Sequence, residues 1–223
     1  MRLGCLSLLV ALVLMVVMPF VFADLMSTAL VKLQLARGTA LLIIVAIFAG
    51  SLIDIPVKRI VRTGPVATDL LAVFGLHGLW PEMQRLRTET TVAVNVGGCV
   101  IPAALAVYEA MGLVWRGEAI GALLSAILLN VIVCHQVARP VEGVGIMMPA
   151  LVPATLAAST ALVAAPQQAT PVAFIAGVFG PLIGADLLNL RTLERVESGM
   201  VSIGGAGTFD GILLSGIVAL YLA

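Results

Sequence analysis

The sequence predicts an all-α membrane protein, a single bundle of about seven transmembrane helices, several of them broken by proline or glycine. Three observations predict it. Apolar residues make up 61% of the chain and charged ones only 11%, against roughly 45–50% and 25% in a soluble domain. Mean hydropathy is +1.16, and so much apolar surface cannot be hidden inside one globule of 223 residues. Apolar runs near the length needed to cross about 30 Å of hydrocarbon recur along the chain, separated by short polar links. The formal net charge is zero, so there is no basic footprint for nucleic acid. The implied partner is the lipid bilayer, with an ion or small solute as a further possibility.

The first span is residues 3–22, an unbroken apolar run behind Arg2. Val21-Phe22-Ala23 would suit a signal-peptidase site. The run reads better as an anchor, because six more hydrophobic segments follow and it is long for a cleaved leader. The second span, 39–53, is short, and Lys32 and Arg37 before it can snorkel to the surface. It ends at Asp54, which reads as an interfacial acid or, more sharply, as the third member of a polar cluster. Residues 57–88 form the longest polar stretch and read as a cytoplasmic loop. Within it, 70–80 is apolar but too short to span, so it reads as an interfacial segment with Trp80 at headgroup depth. His77 in that piece reads as structural.

The third span is 89–113. It holds Asn95 and Pro102, which kinks a helix by removing a donor. The fourth is 119–138, with Asn130 inside it, and the fifth is 143–163, interrupted by Pro149 and Pro153. The third and fifth share a loose pattern, Val-Gly then Pro-Ala and a leucine, from Val96 to Leu105 and from Val144 to Leu151. Paired interrupted helices mark binding sites in transporters. The sixth and seventh spans, 171–189 and 200–222, each carry one aspartate, Asp186 and Asp210, wrapped in glycine. An acid at membrane depth costs about 2.5–3.5 kcal/mol on insertion scales and implies a partner or a task.

Counting Lys and Arg sets the orientation. With the N-terminus cytoplasmic, the inside holds Arg2, the five from Lys58 to Arg87, Arg139, Arg191 and Arg195. The outside holds Lys32, Arg37 and Arg116. The expected location is the cell inner (plasma) membrane, with the C-terminus outside. Asp54, His135, Asp186 and Asp210 then fall in or near the cytoplasmic half.

Several stretches together resemble a known family: Gly50 to Val57, Ala93 to Gly98, Ala138 to Pro140 leading into Gly143 to Ile146, Gly184 to Leu190, and Ser202 to Gly211. The set resembles the bacterial and archaeal multi-span membrane proteins grouped as domain of unknown function sixteen-fourteen. The resemblance runs from about Gly38 to the end. It implies a membrane protein and no particular activity. It also implies asparagine as the usual residue at Asp54, so an acid there is not required.

Three functions are open. In the first, Asp186 and Asp210 bind a cation or carry a proton in an ion- or proton-coupled small-solute transporter. Asn95 and Asn189 serve as uncharged ligands, and broken backbone at Gly205 and Gly207 supplies polar groups. In the second, Asp186 and Asp210 are the catalytic pair of an intramembrane aspartyl protease. Gly205 to Asp210 looks somewhat like the presenilin-type Gly-x-Gly-Asp, but its spacing is two residues too long, and Pro149-Ala150-Leu151 precedes both acids. In the third, the chain is structural or partner-binding, with Asp186 paired to Arg191 and Asp210 holding exposed backbone. No GxSxG or GxxxxGK[ST] occurs. Nothing calls for a cofactor or a metal: Cys5, Cys99 and Cys134 are far apart in apolar runs and read as small buried hydrophobes.

Overall fold

The computed structural model describes residues 2–61, 89–141, 145–149, 151–190, 200–206 and 210–223. Among these are seven α-helices and five strands. The helices are α1 (Arg2–Lys32), α2 (Arg37–Gly50), α3 (Ile101–Arg116), α4 (Ile120–Val137), α5 (Leu151–Ala164), α6 (Ala169–Phe179) and α7 (Gly211–Leu222). The strands are β1 (Asp54–Val61), β2 (Glu89–Asn95), β3 (Arg139–Val141), β4 (Gly145–Met147) and β5 (Met200–Ile203). The protein is therefore mostly helical but not all-α.

Three helical stretches among the described residues are long and apolar enough to cross a membrane: Val96–Arg116, Ile120–Val137 and Pro166–Leu187. The expectation of seven transmembrane helices does not hold. Helix α2 has 14 residues, α5 has 14 and α7 has 12. At 1.5 Å per residue these reach only about 18–21 Å, short of the hydrocarbon thickness of about 30 Å. The physical reason is that three of the predicted spans begin as extended chain. Strand β2 takes the start of the 89–113 segment, β4 the start of 143–163, and β5 the start of 200–222. Conversely, α1 runs 31 residues through Pro19, past the expected end at residue 22. The stretch 57–88 is not all loop, since β1 covers its first five residues; the rest, including the interfacial segment 70–80, His77 and Trp80, lies outside the described residues.

Helix α6 is the core. Every residue from Val172 to Val178 is buried, as an all-apolar helix surrounded by others should be. It packs closely on α7: a Cβ on Gly177 would sit 2.9 Å from the Ser215 carbonyl, and one on Gly216 would sit 2.6 Å from Val178. Such approach of backbones is what small residues permit. Pro181 then removes a donor, and the chain widens into a π-helical turn, Gly180–Leu187, with Leu188 N–H donating to the Ile183 carbonyl. Asn130 of α4 braces this break. It is fully buried and donates through Nδ2 to the carbonyls of Ala176 (2.8 Å) and Pro153 (3.1 Å).

Strands gather where α2 ends and α3 and α7 begin. β1 and β2 are antiparallel, with Asp54 opposite Asn95, and the edge strand β1 absorbs Pro56 beside a bulge. β5 adds in parallel on the other side of β2, with Ser202 opposite Ala93. Strand periodicity puts Asn95 and Ala93 on one face, so Asp54, Asn95 and Ser202 share that face. A second hairpin, β3–β4, joins α4 to α5. The loose repeat read from the sequence falls on two strand-to-helix junctions, β2 to α3 and β4 to α5.

Candidate functional site

A cavity of about 540 Å³ sits where the three-stranded sheet, the β4 segment, the π-helical turn and the start of α7 meet. Asp54, Asp186 and Asp210 all line it, and no Lys, Arg or His does among the described residues. Each acid arrives by a different route. Asp54 opens β1 as α2 stops at Gly50, where a Gly97 side chain could not fit: its Cβ would lie 2.1 Å from the Ile47 carbonyl. Asp186 rides the π-helical turn, which is pressed onto α4 because Gly184 has no side chain to meet the Val131 carbonyl. Asp210 is the N-cap of α7, its Oδ1 accepting from Ile212 N–H at 2.9 Å.

Asp186 and Asp210 lie within electrostatic reach of each other. Asp210, between β5 and α7, is outside the three candidate spans. Burial pushes its carboxyl above the usual carboxylate range, partly offset by the backbone N–H groups of Ile212 and Ala206. Asp54 is exposed and accepts from Asn95 Nδ2 at 3.2 Å and from the Ser202 hydroxyl. The wall is mixed: Met147, Met148, Ile203 and Pro181 are apolar, while exposed Gly205 and Ala206 lie at the rim.

The two asparagines are tied into the scaffold. Asn95 is fully buried; its Nδ2 also donates to the Ser51 carbonyl at 2.9 Å and its Oδ1 accepts from Gly98 N–H at 2.8 Å, capping the π-helical turn Val96–Val100. It touches the site through Asp54. Asn189 Nδ2 turns back to the carbonyls of Gly184 and Ala185 and lies 3.2 Å from His135 Nδ1. Gly205 lines the cavity; Gly207 and Arg191 lie outside the described residues. Cys99 and Cys134 are buried, as small hydrophobes should be. Asp54, weighed above as interfacial or clustered, lines the same cavity as Asp186 and Asp210. Ser202 was not anticipated; period-2 alternation in Met200–Ile203, once read as strand, would have put it on the Asn95 face. Among the described residues no group of three or more His, Cys, Asp and Glu side chains is arranged to hold a metal ion.

These features define a mostly helical protein with three helices able to span a membrane and an acid-lined cavity at one end of the helices. Over residues 48–222 the chain matches the family described as protein of unknown function (DUF1614), and it belongs to that family. No curated protein and no solved structure matches the chain. The family's description carries no activity, so function has to be argued from the cavity.

Proposed function

We propose that this chain is a multi-pass membrane protein that moves a proton or small cation through the acid-lined cavity, coupled to passage of a small solute. Asp186 and Asp210 take up and release the cation. The observation that carries this reading is that two acids 24 positions apart in sequence, on separate elements, line one cavity whose described lining residues include no cationic side chain. Partly buried carboxylates that share one cavity favour a shared proton or a bound cation. The broken backbone at Gly180–Leu187 and Gly204–Ala206 is the kind that lines such sites in transporters. The count of Lys and Arg along the sequence supports an orientation in the plasma membrane with the start of α1 inside and Ala223 outside.

The aspartyl protease reading has less behind it. The stretch from Gly205 to Asp210 is two residues longer than the presenilin-type motif it resembles, and Pro149-Ala150-Leu151 precedes both acids. The test is flux in proteoliposomes loaded with a pH-sensitive dye. Wild-type protein should pass protons or alkali cations down an imposed gradient. Asp186→Asn and Asp210→Asn should each lower the rate by roughly 10²-fold, the size of a lost proton-transfer group. Wild-type vesicles indistinguishable from empty ones would refute the proposal.

A further inference from the structure

At the opposite end of the helices lies a second cavity, of about 350 Å³, among the α1–α2 turn, the end of α3 and the start of α6. Its chemistry is unlike that of the first. Lys32 and Arg116 supply two positive charges, Glu109 and Glu118 two negative ones, and Gln167 and Gln168 add amides. Lys32 is fixed: its Nζ donates to the Tyr221 carbonyl at 2.7 Å and lies 5.4 Å from the centre of the Tyr221 ring. Arg116 donates through Nε to Glu118 Oε2 at 3.1 Å. Its two terminal amino groups fold back along α3 and sit 3.8 Å from where a Gly112 Cβ would be. That places the guanidinium on the side of Glu109, one turn earlier and within its electrostatic reach. Glu109 itself is half-buried and has no hydrogen-bond or ion-pair partner among the described residues.

We propose that this second cavity binds a small zwitterion, its ammonium group held by Glu109 and its carboxylate or phosphate held by the Arg116 guanidinium. The lining charges cancel, so a ligand of net charge would leave one sign unanswered. A dipolar ligand answers both, and charge-assisted hydrogen bonds to each pole are the strong kind. The volume is at the lower end of the roughly 300–1,000 Å³ of small-molecule sites. This proposal is independent of the transport reading and concerns the other end of the molecule. Two sources share the chemistry: a free amino acid, and the headgroup of a zwitterionic phospholipid.

The experiment is calorimetric titration of the purified full-length protein in detergent. The probes are glycine and glycerophosphoethanolamine, a phosphodiester of no net charge, with methylammonium and acetate as single-charge controls. At least one zwitterion should bind saturably, and each control about tenfold more weakly or less. Glu109→Gln and Arg116→Gln should each weaken the zwitterion by about tenfold, while Ser125→Ala, which lines neither cavity, leaves it unchanged. Preference for glycine assigns a free solute. Preference for glycerophosphoethanolamine, with phosphatidylethanolamine retained over phosphatidylglycerol in native mass spectra, assigns a lipid headgroup. The wild-type comparison of joined with separate charges needs no variant to fold. No saturable binding of either zwitterion, equal binding of acetate or methylammonium, or full affinity in both charge variants would overturn the proposal.

Discussion

The glycines at the two ends of the molecule meet different surroundings. At the sheet end, a Cβ on Gly97, Gly184 or Gly204 would strike a neighbour at 2.1, 2.3 and 2.8 Å. At the far end, Gly38, Gly117 and Gly121 have nothing within 4 Å. The far end joins helices by short turns and leaves its charged groups, Arg116 and Glu118, half exposed. The sheet end breaks helices, inserts strands and presses backbones together. The same residue type stands in open space at one end, with only Gly117 closing a helix there, and is a packing requirement at the other. What the crowding achieves is position: Gly97 lets α2 hand over to β1 at Asp54, and Gly184 seats the turn that carries Asp186.

The sharpest way to break this contrast is at Gly97. Gly97→Ala forces backbone apart and should cost about 3 kcal/mol or more, the upper range for overpacking, read as loss of monodisperse protein in detergent. Asn130→Ala comes next. It removes two buried hydrogen bonds at the α6 break and should cost about 2 kcal/mol, seen as a lower Tm.

At Asp210 the two substitutions should diverge. Asp210→Ala loses the cap to α7 and should cost about 1 kcal/mol, whereas Asp210→Asn keeps a cap of equal quality. The carboxyl has a raised folded-state pKa. Its contribution to stability is therefore fully present below the unfolded value near 4 and is lost as pH rises through the folded one. The Tm of Asp210→Asn relative to wild type should rise as pH increases from about 4, and a flat difference would contradict the burial.

Gly121→Ala at the open end should be neutral or stabilising by up to about 1 kcal/mol, as helix propensity dictates where nothing is in the way. Asp54→Asn should do least, within about 0.5 kcal/mol. Asparagine keeps an acceptor for Asn95 and Ser202, and the site is exposed.

Much of this end was legible residue by residue, and its architecture was not. Hydropathy located the helices, and α4 runs Ile120–Val137 against the expected 119–138. Asp186 and Asp210 stood out because an acid is costly in an apolar setting, and both line the cavity. The strands were missed because a short apolar run such as Thr90 to Val94 has no period that separates strand from buried helix. Its β-branched residues, and the glycine pairs after β2 and β5, were the available signal. Pro181 sat in plain view, but nothing local says whether proline kinks a helix or widens it. The distant partners of Asn130 are set by packing alone.

The central claim is that Asp186 and Asp210 face one polar cavity at the sheet end. Thiol labelling tests it most directly. Asp186→Cys and Asp210→Cys would each be made in a background with Cys5, Cys99 and Cys134 replaced by alanine, and exposed to a membrane-impermeant maleimide in vesicles of known orientation. Both cysteines should react from the side that bears the sheet, and neither from the other. Reaction of only one, or labelling of either only by a lipid-soluble reagent, would contradict the account.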